Sequence, residues 1–139
     1  MPKTNTLIDY LNRDLERELT QIVRYLHHSF IVTGPSRGPL VGLFRQQATE
    51  SMAHAIKLGE KITALGGHPT VKVQQIFEPG DQTLEEMLQE NLQAEEEALQ
   101  EYKNHLKEVS DDVALRVLLE QIVFEEQSHV EDLRKYLKK

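Results

Sequence analysis

The chain has 139 residues, 23 acids against 16 bases for a net charge of −7, and neither Cys nor Trp. A chain of this length can bury one core, so a single domain over residues 1–139 is expected. The missing thiols exclude disulfide frameworks, thiolate metal sites and thiol catalysis, leaving His and carboxylate as the metal ligands, and the acidic balance disfavours a nucleic-acid surface while suiting cations.

The stretch Met1 to Thr6 carries one Lys and no apolar run behind it. Arg13, Asp14, Glu16, Arg17 and Glu18 interrupt any segment long enough for a leader or a membrane span, so a soluble cytoplasmic protein with no membrane partner is expected. A first helix is predicted from about Thr6 to Val32, opened by Thr6 with Asp9 in a capping-box spacing. Gly34 to Pro39 forms a short loop, and a second helix runs from about Pro39 to Leu65, capped by Gly66-Gly67. A third opens at Thr83-Leu-Glu-Glu86, again a capping-box pattern, and runs to about Val109. Ser110-Asp111-Asp112 caps a fourth, which continues to about Leu137. The short links predict two antiparallel hairpins. Some 16 residues from Gly67 to Gln82, with the extended-looking Val71-Lys72-Val73, are long enough to cross along the bundle between helices two and three.

Apolar residues spaced alternately four and three apart mark the face turned to the bundle axis. That seam reads Leu11, Leu15, Glu18, Ile22, Tyr25 in the first helix and Leu88, Leu92, Glu95, Leu99, Tyr102, Leu106, Val109 in the third. In the fourth it reads Leu115, Leu119, Ile122, Glu126, His129, Leu133, Tyr136. All three seams are apolar except at one level, where Glu18, Glu95, Glu126 and His129 intrude. The pattern repeats at half length: Glu18 to Tyr25 and Glu95 to Tyr102 share a spacing of seven, and each pair precedes a His, His54 or His129, by a similar distance. A buried carboxylate must be protonated, paired with a base or bound to a metal, and no Lys or Arg shares these seams. A divalent metal neutralises several carboxylates at once and accepts imidazole nitrogen. Glu126-Gln-Ser-His129 puts two such ligands on one helix face.

One Glu from each of two helices plus Glu-x-x-His motifs from the other two resembles the ferritin-like di-iron carboxylate proteins. The likeness to bacterioferritins covers nearly the whole chain: Leu-Ile-Asp-Tyr-Leu-Asn-Arg at 7 to 13, Glu-Leu at 18 and 19, Tyr25, Met52 with His54 and Ala55, Glu-Glu-Met-Leu at 85 to 88, and Glu126 with His129. The resemblance implies an all-α, ferritin-like antiparallel four-helix bundle with a long crossover between helices two and three. It also implies two irons per subunit held by Glu18, His54, Glu95, Glu126 and His129, with Tyr25 and Tyr102 backing the ligands. Met52 stands where a bacterioferritin Met, one from each of two subunits, ligates a shared haem; packing is the other use of a Met there.

One ligand departs from the family pattern. Aligning the second helix on the fourth through their His residues puts Ser51 where Glu126 sits, and Glu50 stands one position earlier. Glu50 either completes the site as a sixth ligand or faces elsewhere. Two ferrous ions bring four positive charges against three seam carboxylates, so without Glu50 one metal is held weakly. The leading expectation is a ferroxidase, oxidising ferrous to ferric iron with dioxygen or peroxide for storage or detoxification. The alternatives are a peroxide scavenger of rubrerythrin type, which the absence of Cys disfavours, and a non-enzymatic or metal-weakened bundle subunit. His27, His28, His68 and His105 have no ligand partner at helical spacing and read as surface or capping residues. The Glu95-Glu96-Glu97 run reads as a solvated face with one inward member. A homo-oligomer, a dimer at least, is expected. Lys138-Lys139 follows the fourth helix directly, without the fifth helix of bacterioferritins, which leaves a dimer or smaller shell as alternatives to a 24-subunit cage.

Overall fold

Polar-apolar periodicity at a helical repeat produces four helices in the structure, a computed structural model that describes residues 2–109 and 111–138. They are α1 Thr4–Ile31, α2 Arg37–Ala64, α3 Leu84–Glu108 and α4 Val113–Leu137, with no strand among the described residues. None is long and apolar enough to cross a membrane. The caps explain the boundaries. Thr83 and Glu86 form the predicted capping box, each side chain bonded to the other's backbone N–H. The Asp112 side chain accepts from Leu115 N at 3.0 Å; Ser110, in the same predicted turn, lies outside the described residues. Gly66 takes φ +86°, and Gly67 N donates to Ile62 O, which closes α2 as predicted.

At the start of α1 the prediction fails. The helix begins at Thr4, because Leu7 N already bonds to Lys3 O, and Thr6 sits inside the first turn rather than capping it. Arg37 closes the other end, its Nη1 donating to Val32 O at 2.6 Å.

The 65–83 crossover is irregular throughout, including Val71-Lys72-Val73. It is strapped along α1 in rising order. Asn12 Nδ2 donates to His68 O and Asn12 Oδ1 accepts from Thr70 N; Thr20 Oγ1 accepts from Gln74 N; His27 pairs with Glu78; His28 meets Gln82. The chain therefore travels the length of the bundle before α3 begins. As a result α3 runs antiparallel to α1, and both hairpins pack side by side as expected.

Two apolar blocks form the core. One gathers Leu11, Leu15, Leu58, Ile62, Leu119 and Ile122; the other gathers Tyr25, Phe44, Met87, Leu88 and Leu133. Between them lies a layer of fully buried carboxylates and imidazoles. The predicted seams hold across this middle, but Tyr136 at the end of α4 is 51% exposed. A strict seven-residue repeat drifts about 20° per heptad on a straight helix, so three heptads carry Tyr136 off the inner face.

Candidate metal centre

Four helices each contribute to the buried layer. Glu18 comes from α1, His54 from α2, Glu95 from α3, and Glu126 with His129 from α4; all are buried. Their ligand atoms form two trios, Glu18–His54–Glu126 and Glu95–Glu126–His129, and within each trio the atoms lie within 4.8 Å of one another. Glu126 belongs to both. Its Oε1 lies 3.5 Å from His54 Nδ1 and its Oε2 lies 3.9 Å from His129 Nδ1, so one carboxylate faces each half of the site with a different oxygen. On the far sides, Glu18 Oε2 is 3.0 Å from His54 Nδ1, and Glu95 Oε1 is 3.6 Å from His129 Nδ1.

The donors in this layer are too few for its acceptors. Glu18 Oε1, both oxygens of Glu95, both of Glu126 and His129 Nδ1 are buried without a hydrogen-bond partner. Buried polar atoms left unpaired are costly, and here they converge. Burial, reinforced by the charge of Glu95, pushes the Glu126 carboxyl up to about 8. Burial alone would lower His54, but the adjoining carboxylates of Glu126 and Glu18 push its imidazole up to about 11; likewise burial would lower His129, but the adjoining Glu95 carboxylate and then the charge of Glu126 raise it to about 9. In the metal-free protein the imidazoles thus carry the positive charge that the carboxylates require. Two carboxylates and one imidazole per trio form an oxygen and nitrogen donor set suited to divalent iron, manganese or zinc, and such an ion satisfies the unpaired atoms.

The remaining predicted residues lie around this layer. Tyr102 donates to Glu18 Oε2 at 3.2 Å. Tyr25 is fully buried against the second trio, and burial followed by the charges of Glu95 and Glu126 raises its phenol well above the ordinary range. Ser51 is buried, and its Oγ donates to Gln21 Oε1 at 3.0 Å, so no carboxylate stands opposite Glu126. Glu50 is not among the converging trios: its carboxylate lies against Nε2 of His129, on the ring edge away from Nδ1. Met52 points outward, 51% exposed on α2. Glu96 and Glu97 are exposed beside buried Glu95, as the acidic run predicts.

Sequence reasoning missed two things. Glu125 Oε2 reaches His54 Nε2 at 2.5 Å, the mirror of the Glu50 contact. A signal was present, since Glu125 and Glu50 each stand four residues before a candidate ligand His. His28 and His105 are also buried rather than superficial. His28 accepts from Asn91 Nδ2 at Nδ1 and meets Gln82 Oε1 at Nε2, while His105 bonds Asp14 Oδ2 at 2.8 Å and stacks on Tyr10. His68 is exposed and His27 half-buried.

Comparisons agree with this geometry. The Ferritin-like domain model matches residues 8–139. A bacterioferritin of Rhodobacter capsulatus is 29% identical over 130 residues, 91% of this chain and 80% of the relative; one from Mycobacterium tuberculosis is 30% identical over 129 residues with the same coverage. Among solved structures, a ferritin-like di-iron-carboxylate protein from Bacillus anthracis superposes with a TM-score of 0.94 at 30% identity, covering 99% of this chain and 100% of that one. The Rhodobacter capsulatus bacterioferritin, described with a metal-free dinuclear site and haem iron, superposes with a TM-score of 0.85 at 25% identity, covering 99% and 86%. With its four-helix architecture, its paired carboxylate-imidazole trios and these matches together, the chain belongs to the ferritin-like family and is a homologue of the bacterioferritins.

Proposed function

We propose that this protein binds two ferrous ions in the buried layer and oxidises them to ferric iron, serving iron storage or detoxification. The observation that carries the reading is the set of unpaired buried oxygens on Glu18, Glu95 and Glu126 facing His54 and His129 Nδ1. Each ferrous ion would give up one electron, and the two electrons with two protons convert dioxygen to hydrogen peroxide, or peroxide to water. The side chains would bind and position: Glu126, which belongs to both trios, would serve both ions, Glu18 and His54 would hold one, and Glu95 and His129 the other. Tyr102 steadies Glu18 by its hydrogen bond.

Ser51 favours a second reading within the first, a site of unequal halves. Three carboxylates meet four positive charges, so one ion is held more weakly than in a site with two bridging carboxylates. Calorimetric titration of the metal-free protein with Co²⁺ tests this: two ions per chain with clearly different affinities support the reading, and no saturable binding contradicts it.

Assembly and haem belong to the same proposal. Met52, Ile56, Val23, Leu26 and Phe30 are exposed on neighbouring helices α1 and α2, an apolar surface suited to a second copy of the chain. The outward thioether of Met52 would there meet its symmetry mate across a shared haem. Light scattering gives the oligomer size, and a Soret band after haem addition, lost in Met52→Leu, tests the ligation.

A further inference from the structure

We propose that His28 and Asn91 form a proton-operated switch: the neutral ring accepts from the Asn91 amide, and protonation turns that amide so that its oxygen accepts from the ring instead. The pair lies at the joint where Gln82 leads the crossover into the Thr83 cap of α3, and it uses none of the ligands of the metal layer.

The half-length repeat builds the same rung twice. Asp14 and Asn91, Glu18 and Glu95, Tyr25 and Tyr102, and His28 and His105 are pairs that each stand 77 positions apart. In both copies the side chain at 14 or 91 meets Nδ1 of a buried imidazole on the facing helix at 2.8 Å. The chemistry of the two rungs differs. His105 has an oxygen at Nδ1, Asp14 Oδ2, and Glu101 Oε2 lies 3.3 Å from its Nε2, so the ring sits between two carboxylates. At His28 the partner of Nδ1 is an amide nitrogen, which needs a bare Nδ1, and Gln82 Oε1 then accepts the Nε2 proton at 3.1 Å.

The surroundings of His28 already hold the parts of a second state. Asn91 Oδ1 is buried without a hydrogen-bond partner, while Nδ2 of the same amide serves both His28 Nδ1 and, at 2.9 Å, Met87 O. Turning the amide gives up the Met87 bond and brings the orphaned oxygen to Nδ1–H, the contact that Asp14 makes to His105. A counter-charge stands ready, since Glu90 Oε1 on α3 lies 3.9 Å from His28 Nε2 while Oε2 pairs with Arg24 Nε at 3.2 Å. Burial is the main resistance to the proton; Glu90 and Gln82 favour it, and His27 and Arg24 of α1 oppose it. Glu78 of the crossover is held on His27, and α2 presents the ring of Phe44 at 5.9 Å. Protonation therefore falls below the ordinary imidazole value of 6.5, where a buried charge is met by Glu90 and the turned amide.

Nuclear magnetic resonance of the full-length, metal-free protein, uniformly labelled with 15N, tests the switch between pH 7.5 and pH 5. The imidazole nitrogens of His28 and the side-chain amide of Asn91 are followed together, with circular dichroism at each pH to check the fold. At pH 7.5 the ring should carry its proton on Nε2 alone. On acidification the Asn91 amide signals should move with the same midpoint as the ring, and in His28→Gln they should show no such step. Asn91→Asp rebuilds the rung in the form of its counterpart, so His28 should hold its second proton about tenfold more tightly or better. Should that variant not fold, the wild-type titration decides alone. An Asn91 amide that stays fixed while His28 titrates, a His28 midpoint unmoved in folded Asn91→Asp, or a wild type that unfolds before the ring takes its proton would overturn the assignment.

Discussion

Glu50 on α2 lies against Nε2 of His129 on α4, and the relationship is reciprocated: Glu125 on α4 lies against Nε2 of His54 on α2 at 2.5 Å. Each imidazole thereby turns Nδ1 to the central carboxylates and Nε2 to a half-exposed outer one. An outer carboxylate that holds the Nε2 proton fixes the tautomer and leaves Nδ1 free for a metal. In this geometry Glu50 touches the buried layer at His129 Nε2, while Ser51 bonds Gln21 instead of facing Glu126 with a carboxylate.

Replacement of these outer acids separates the two roles that sequence leaves open for Glu50. Glu50→Ala and Glu125→Ala should each leave two ions bound per chain while weakening metal affinity about 10–100-fold, the usual cost of losing a carboxylate behind a ligand His. Cobalt calorimetry reads both values. A drop to one ion in Glu50→Ala alone would make Glu50 a direct ligand.

Removing the shared carboxylate should act oppositely on function and stability. Glu126→Gln should abolish rapid ferrous oxidation, because both trios lose a member. Burial, reinforced by the charge of Glu95, raises the Glu126 carboxyl to about 8, so at pH 9 the same change removes a buried negative charge that Glu18 and Glu95 repel. The melting temperature of the metal-free protein should therefore rise, by roughly 3–5 °C per kcal/mol relieved. Scanning calorimetry of both proteins after chelator treatment checks the sign.

Ser51→Glu should do the reverse. A carboxylate opposite Glu126 supplies the fourth negative charge, and a unit charge about 4 Å away at an effective dielectric near 20 is worth about 4 kcal/mol. The weaker ion should bind at least about tenfold more tightly. Without metal, the added buried charge should lower the melting temperature. Both are read from cobalt titration and thermal melts.

The bundle frame and the inner layer are legible in sequence because one rule governs both. A side chain at seam spacing is carried to the axis whatever its chemistry, so Glu18, Glu95, Glu126 and His129 were located by the Leu residues above and below them. His28 and His105 obey no such spacing. Their partners, Asn91 and Asp14, lie 63 and 91 residues away on other helices, and only the folded packing brings them together. The Gln21–Ser51 bond is hidden for the same reason, since it arises where α1 meets α2. Tyr136 fails at the other limit, where helical drift outruns a rule that holds at mid-bundle.

The His28 network gives a pH prediction. Burial holds this imidazole below its ordinary value near 6.5, and Asn91 donating to Nδ1 fits the neutral ring. Below that pH the unfolded chain takes up a proton that the folded one resists, so the unfolded state binds more protons and stability falls on acidification. The contribution is fully present above pH 6.5 and is lost below it, at most about 1.4 kcal/mol per pH unit. The stability advantage of the metal-free wild type over His28→Gln, from urea unfolding, should shrink between pH 7.5 and pH 5.5. An advantage that stays constant or grows would contradict this.

Aerobic titration of the metal-free protein with ferrous iron reads the chemistry of the paired trios themselves. A fast oxidation phase should saturate near two irons per chain and be absent in Glu126→Gln. Oxidation no faster than in protein-free buffer, or a fast phase unchanged in Glu126→Gln, would contradict it.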